Sequence, residues 1–143
     1  MTRCSALTSL NRLSILVIDD DPDICWAIER LVRSRAHRVT CVNTGAEALA
    51  RLQHEAFDRI ILDAKLRDTN GMELPSRIDR IAPGVWIVLV SGYYYADDPA
   101  VLAALEQGLI RRFVAKPFSH QALLDALAVE GEGQRAQAAI EVG

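Results

Sequence analysis

Segments that resemble buried strands alternate along this chain with segments that resemble amphipathic helices. Between the strand segments, and after the last one, apolar residues recur at the three- and four-residue spacing of one helix face. Helical connections make successive strands parallel, with right-handed crossovers. We therefore predict an α/β fold, a doubly wound five-stranded parallel sheet with helices on both faces. The apolar runs place its strands at Ile15–Ile18, Val39–Val42, Arg59–Leu62, Val85–Val90 and Phe113–Ala115.

The predicted helices begin at residues that favour helix starts. Asp21, Pro22 and Asp23 supply a cap, a first-turn proline and an acid near the positive end of a helix that runs to about Arg35. Thr44 and Glu47 have the spacing of a capping box for the second helix. The other three helices are expected at about Met72–Ile81 after a break at Asn70-Gly71, from Asp98-Pro99 to near Gly108, and after a cap at Ser119. Pattern alone leaves the order of the strands open.

Polar residues with related chemistry follow four of the predicted strands. Because the carboxyl ends of parallel strands meet at one edge of the sheet, these side chains should share a small site. Three carboxylates, a hydroxyl and an ammonium suit transfer of a phosphoryl group to a carboxylate with a divalent cation. The alternative is that strands simply end in polar residues. The residues are Asp19, Asp20, Asp63, Ser91 and Lys116.

Composition excludes several classes of protein. With 143 residues the chain has room for one domain, and its 16 Lys+Arg against 19 Asp+Glu give no basic surplus for nucleic-acid binding. It contains no apolar run of the roughly 18 residues that a membrane span needs, and its start does not resemble a secretory signal. Three cysteines without metal-ligand spacing fit reduced thiols in a cytoplasm, with Cys25 and Cys41 as core residues and Cys4 near the amino terminus.

Taken together, these segments resemble the response regulator receiver domain of two-component signalling. The resemblance spans about residues 14–128 and implies the strand order 2-1-3-4-5 and a cis bond between Lys116 and Pro117. We accordingly expect an N-terminal extension at 1–13, a receiver domain at 14–129 and a flexible tail at 130–143. The matching sequences are Ile15-Leu-Val-Ile-Asp-Asp-Asp-Pro-Asp23, Phe57-Asp-Arg-Ile-Ile-Leu-Asp-Ala-Lys-Leu66 with Gly71, Val90-Ser-Gly92 and Lys116-Pro-Phe118.

The resemblance also implies roles for the residues at the strand ends. Asp63 would accept a phosphoryl group from a histidine kinase or histidine phosphotransfer protein, and Ser91 and Lys116 would contact that group. Mg²⁺, or Mn²⁺, would be held by Asp63, by the backbone carbonyl of Lys65, by Asp20 directly and by Asp19 mostly through water. Such a protein is not an enzyme, although it assists its own phosphorylation and dephosphorylation.

The resemblance further implies a cytoplasmic protein that signals through protein contacts. We expect no output domain in this chain and no direct contact with nucleic acid or membrane. Its downstream partner is unknown, and a homodimer is one candidate assembly. The alternative function is a receiver-like scaffold that binds a partner without phosphorylation. A flavin mononucleotide binder would need a different phosphate loop after the first strand, and a haloacid-dehalogenase-type phosphatase would need a longer chain.

Three features depart from the usual receiver pattern or leave a role open. Arg67 stands where the family usually has proline, four residues after Asp63, and is either a solvated surface residue or one that reaches an anion. The loop Tyr93–Asp98 is longer than usual and carries three tyrosines, at least one of which should face solvent or a partner. Phe113 is either the family's aromatic switch residue or a plain core residue.

Overall fold

The computed structural model describes residues 12–35, 37–69, 72–92, 94 and 96–128. Across these ranges five strands alternate with five helices. The strands form one parallel sheet in the order β2-β1-β3-β4-β5, which confirms the predicted fold class and strand order. In chain order the elements are β1 (Ser14–Ile18), α1 (Pro22–Arg33), β2 (Arg38–Val42), α2 (Gly45–His54), β3 (Arg59–Asp63), α3 (Leu74–Ile81), β4 (Trp86–Ser91), α4 (Pro99–Glu106), β5 (Arg112–Ala115) and α5 (His120–Leu127).

The core lies in two layers, one on each face of the sheet, because successive side chains of a strand point to opposite faces. On one face Leu16, Ile60 and Leu89 pack against residues of α2, α3 and α4. On the other face Val17 and Ile61 pack against residues of α1 and α5. Burial on both faces explains why the central strands are apolar along their length rather than alternating. No helix among the described residues is long and apolar enough to cross a membrane.

Side-chain caps mark the starts of four helices, at the residues that the sequence predicts. Asp21 accepts from Asp23 N at 2.9 Å and Thr44 from Glu47 N at 3.0 Å. Asp98 and Ser119 cap α4 and α5 in the same way. Helix ends are less well predicted, since α1 ends at Arg33 instead of Arg35 and α3 begins at Leu74 instead of Met72.

The strand register brings the carboxyl ends of the strands to one edge. Ile18 in β1 pairs with Leu62 in β3, Asp63 with Val90 in β4, and Ser91 with Ala115 in β5. Asp63 and Ser91 are therefore the last residues of their strands, one position further into the sheet than predicted. The Lys116–Pro117 bond is cis, as the resemblance implies. The predicted break at Asn70-Gly71, the tyrosines at 93 and 95, Cys4, residues 1–11 and the tail from 129 lie outside the described residues.

Candidate functional site

Three carboxylates and one ammonium meet at the carboxyl edge of the sheet. Oxygens of Asp19, Asp20 and Asp63 all lie within 4.8 Å of one another. Lys116 Nζ lies 3.4 Å from Asp19 Oδ2 and 3.6 Å from Asp63 Oδ1. The structure thus brings together the acids and the lysine that the sequence places at separate strand ends.

Ser91 lies at the same edge, on the strand between Asp63 and Lys116. Its hydroxyl oxygen accepts a hydrogen bond from Tyr94 N at 2.8 Å, and its carbonyl accepts one from Lys116 N at 2.8 Å. Lys65 N donates to Asp63 Oδ1 at a long 3.4 Å. The Ser91 hydroxyl therefore connects the end of β4 to the loop that follows it, and the loop after Asp63 orients the carboxylate.

Burial sets the electrostatics of this site. Asp19 and Asp63 are only 3% and 8% exposed. Burial raises the pKa of Asp19, against a hydrogen bond from Asp21 N and the charge of Lys116, which lower it. Burial also raises the pKa of Asp63, the negative charge of Asp19 raises it further, and Lys116 opposes both. One ammonium therefore does not fully compensate the buried carboxylates.

The donor set fits a divalent cation. Three carboxylates share the site with one ammonium, so a second positive charge would relieve the repulsion that raises the pKa of Asp63. Carboxylate oxygens are the ligands that Mg²⁺, Mn²⁺ and Ca²⁺ prefer, whereas the nitrogen and sulfur ligands typical of zinc are not part of this cluster. Asp19, Asp20 and Asp63 are the residues that would hold such an ion.

Arg67 is both a solvated surface residue and a residue that reaches an anion, the two interpretations that the sequence leaves open. Its side chain is 86% exposed, yet its Nε lies 3.8 Å from Asp20 Oδ2. An exposed pair at this distance is a weak attraction. Arg67 therefore approaches the acid cluster from the solvent side without being buried in it.

Asn43 is a residue of the site that sequence reasoning missed. Its Nδ2 donates to the backbone carbonyl of Asp19 at 3.1 Å, and Cys25 Sγ donates to the same oxygen at 3.2 Å. Asn43 is the first polar residue after the apolar run at Val39–Val42, so it carries the signal that identifies the other strand-end residues. Asn43 was overlooked because its side chain acts on the backbone of Asp19, a contact that depends on how the end of β2 packs beside β1.

Asp68 and Phe113 lie near the acid cluster without belonging to it. Asp68 accepts from Gly45 N at 2.9 Å and Ala46 N at 3.0 Å, so the loop after Asp63 caps the start of α2. A Cβ added at Gly45 would lie 2.5 Å from Thr69 Cγ2, so a larger residue at this position would have to displace the Thr69 side chain. Phe113 is half-buried and packs against the core layer of α4.

A family model described as "Response regulator receiver domain" matches residues 15–128 of this chain. Among curated proteins, the transcriptional regulatory protein GlrR of Escherichia coli K12 is 29% identical over 113 residues, which cover 79% of this chain and 25% of GlrR. The chain thus spans about a quarter of the length of this relative.

Two solved structures carry ligands that bear on the site. A response regulator protein from Burkholderia pseudomallei, with a phosphorylated aspartic acid, a calcium ion and citrate, has TM-score 0.74 and 25% identity, covering 90% of this chain and 74% of that one. The receiver domain of sensor histidine kinase PA1611 from Pseudomonas aeruginosa PAO1, with magnesium in its active-site cleft, has TM-score 0.70 and 25% identity, covering 81% of this chain and 94% of that one.

Proposed function

The chain belongs to the response regulator receiver domain family, and on that premise we propose that Asp63 accepts a phosphoryl group from a histidine kinase or a histidine phosphotransfer protein. The observation that carries this proposal is the position of Asp63 at the end of the central strand β3. There its carboxylate lies 3.6 Å from Lys116 Nζ and shares a cluster with Asp19 and Asp20. The phosphorylated and magnesium-bound relatives support the assignment.

The proposed chemistry is a single displacement at phosphorus. A carboxylate oxygen of Asp63 attacks the phosphohistidine, a phosphorus–oxygen bond forms, the phosphorus–nitrogen bond breaks and imidazole leaves. Lys116, already beside Asp63, stabilises the charge on the transferred group, and the Ser91 hydroxyl can donate to one of its oxygens. Mg²⁺ or Mn²⁺ held by the three acids, with the carbonyl of Lys65, would supply further positive charge. These residues make the protein a phosphoacceptor that assists its own modification, rather than an enzyme with a separate substrate.

The signal would leave the site through Ser91. In the structure the Ser91 hydroxyl accepts a hydrogen bond from Tyr94 N, at the start of the loop that leads to α4. A phosphoryl oxygen that draws this hydroxyl toward Asp63 would break that bond and release the loop. A ligand shifts a two-state loop by its differential affinity, and one charge-assisted hydrogen bond of about 1.5–3 kcal/mol changes populations by about tenfold or more.

The released loop would act on a protein partner in the cytoplasm. The curated relative is a transcriptional regulator, and the described residues here contain the receiver fold. We therefore propose contact with a downstream protein, with a homodimer as one form of that contact, and no direct role for nucleic acid or membrane.

A receiver-like scaffold that is not phosphorylated is the second candidate. It is favoured by Arg67, which places a cation 3.8 Å from Asp20, where a metal would bind. If that cation replaced the metal, the fold could present its loops to a partner without phosphoryl transfer.

Acetyl phosphate and intact mass distinguish the two functions. With Mg²⁺ present, the wild-type protein should gain one phosphoryl group, and Asp63→Asn should gain none. Asp97→Asn, an exposed aspartate outside the cluster, is the matched control and should be labelled like the wild type. A chelator of divalent cations should suppress labelling of the wild type and of Asp97→Asn. Equal labelling of Asp63→Asn would refute the assignment, and no labelling of folded wild type would favour the scaffold.

A further inference from the structure

The outer face of α1 carries an exposed tryptophan. The side chains of α1 that enter the core are those of Cys25, Ile28 and Val32. Trp26 lies outside this buried stripe and is 60% exposed. A helix that packs on a sheet usually has polar side chains on its solvent side, where an indole loses the stabilisation that burial would give it. Among the described residues, Trp26 and Leu102 of α4 are the large apolar side chains that stay mostly exposed.

Asp23, Ala27 and Arg30 share the outer face of α1 with Trp26. The spacing of these residues, at i, i+3, i+4 and i+7, aligns them in one row along the helix, and each of them is exposed. Arg30 Cζ lies 4.9 Å from the centre of a Trp26 ring, a contact that holds the cation on the row. Within the part of the chain that the structure describes, neither Asp23 nor Arg30 joins an ion pair. The row therefore presents a negative charge, an apolar centre and a positive charge, in that order.

We propose that this row is the contact surface of a homodimer, in which the α1 helices of two copies pack antiparallel about a two-fold axis. An axis between Trp26 and Ala27 places Asp23 of each copy opposite Arg30 of the other. It also places Trp26 of each copy opposite Ala27 of the other, where the small alanine side chain leaves room for the indole. The row is thus complementary to itself in charge and in size. The inference rests on the homodimer proposed above and not on phosphorylation of Asp63.

Charges beyond the row follow the same pattern. Asp20 and Asp21 precede α1, whereas Arg33 is its last residue and Arg35 follows it. An antiparallel pair brings the acidic end of each helix to the basic end of the other, while a parallel pair would bring like charges together. Acids at the start and bases at the end also stabilise a single helix through its dipole. The dipole gives no reason for an exposed indole between them, so Trp26 is the observation that favours a second helix.

The small size of the row limits the strength of the proposed dimer. A helix of 12 residues is about 18 Å long and offers less than the roughly 800 Å² per partner of a stable interface. We therefore expect a dissociation constant above about 1 µM, because even larger interfaces often reach only that affinity. Monomer and dimer should exchange, and the dimer should become the main species as the protein concentration rises.

Charge reversal tests the antiparallel pairing. Asp23→Arg puts cations at both charged positions of the row and Arg30→Asp puts acids at both, so each variant alone should repel its own copies. Sedimentation velocity should show a dimer at least about tenfold weaker than wild type for each. An equimolar mixture of the two variants should dimerise like the wild type, because every pair across the axis then joins a cation and an acid. The two positions are about 10.5 Å apart along one helix, so no contact within a chain would explain this rescue.

Removal of the indole is the second test. Trp26→Ala should weaken the dimer by at least about tenfold. Leu102→Ala is the matched control, because it removes the other exposed apolar side chain, and it should leave the dimer unchanged. The reverse result would place the interface on α4 and overturn the proposal. Circular dichroism of every variant should match that of the wild type.

Two further outcomes would overturn the proposal. A wild-type protein that stays monomeric at about 1 mM would leave the Trp26 face to a different protein. Charge-reversed variants that each dimerise alone as well as the wild type would exclude the antiparallel pairing. Labelling by acetyl phosphate separates this inference from the phosphoacceptor function. A labelled monomer would refute only the dimer, and a dimer without label would refute only the phosphoacceptor function.

Discussion

Opposite edges of the sheet each gather three like charges, and the surroundings of the two groups of charges differ. At the carboxyl edge three acids lie within 4.8 Å of one another. At the amino edge three arginines surround Trp86, the first residue of β4. The Cζ atoms of Arg59, Arg111 and Arg112 lie 4.1, 4.3 and 5.3 Å from the centre of the indole ring. Both clusters follow from parallel strands that start and end together.

Polar groups at the amino edge find partners in the backbone. Arg59 Nε donates to Leu127 O at 3.0 Å and Trp86 Nε1 donates to Ala126 O at 3.1 Å, so both occupy carbonyls at the end of α5. Guanidinium groups are weakly hydrated and stack on aromatic rings, which lets them lie close together. Burial still lowers the pKa of Arg59, with Arg111 adding to that effect.

Carboxylates at the other edge are held against each other, with burial and repulsion raising the pKa of Asp63. The difference teaches that a cluster of like charges indicates a binding site only where the charges lack compensation. The amino-edge cluster joins α5 to the sheet, whereas the carboxyl-edge cluster has the carboxylate donor set that suits a cation. Three substitutions test this contrast.

Removing the indole should have the largest effect on stability. Trp86 is 8% exposed and packs in the core layer of α1 and α5, so Trp86→Ala should lower the free energy of unfolding by about 3–5 kcal/mol. Trp86→Phe is the control, because it keeps an aromatic ring for the arginines and loses the hydrogen bond to Ala126 O. Urea denaturation measures both. If the two variants lost the same stability, the ring would not be what holds the cluster.

Neutralising an acid at the carboxyl edge should stabilise the protein, whereas removing Trp86 at the amino edge should destabilise it. Asp63→Asn should raise the free energy of unfolding at neutral pH by about 0.5–2 kcal/mol in metal-free buffer, a typical gain for one stabilising substitution. The pKa of Asp63 is raised above its usual 3.8 in the folded protein. This group therefore contributes stability below pH 3.8 and loses that contribution as pH rises through the folded pKa.

The extra free energy of unfolding of Asp63→Asn relative to the wild type should therefore be absent below pH 3.8. It should grow as pH rises through the raised pKa of folded Asp63 and stay constant above that pKa. Urea denaturation at a series of pH values checks this. Saturating Mg²⁺ should reduce the difference, since a cation stabilises the wild-type carboxylate cluster. A variant less stable than the wild type at neutral pH without metal would show that Lys116 already compensates the acids.

Removing Arg67 should have the smallest effect. Its side chain is 86% exposed and 3.8 Å from Asp20, so Arg67→Ala should tighten Mg²⁺ binding by at most about fivefold, the range of exposed ion pairs. Asp20→Ala, which removes the other member of the pair, should instead weaken binding. Titration by tryptophan fluorescence compares the two. Weaker binding in Arg67→Ala would mean that Arg67 supports the metal site instead of competing with it.

The local elements were largely predictable from sequence because their signals are local. The caps at Asp21, Thr44, Asp98 and Ser119 act on backbone groups two or three residues away, and the structure shows all four. The boundaries shifted by two residues at the end of α1 and at the start of α3, where Glu73 makes no side-chain capping hydrogen bond.

The polar residues at the strand ends were also identifiable in sequence, because parallel topology sends every carboxyl end to the same edge. This rule alone predicts one shared site, formed by Asp19, Asp20, Asp63, Ser91 and Lys116. Strand order could be predicted only from the resemblance, because the apolar pattern of a strand does not identify its neighbours in the sheet.

Contacts between elements distant in sequence were decided by the tertiary structure. The hydrogen bonds from Asn43 and Cys25 to Asp19, the approach of Arg67 to Asp20 and the three arginines on Trp86 depend on how neighbouring strands and helices pack. So do the raised pKa values of the buried acids, since burial is a property of the assembled fold. Residue identity determined which chemistry this chain can perform at a sheet edge, and packing decided which charges remain uncompensated there, because charge compensation depends on distance and burial rather than on sequence order.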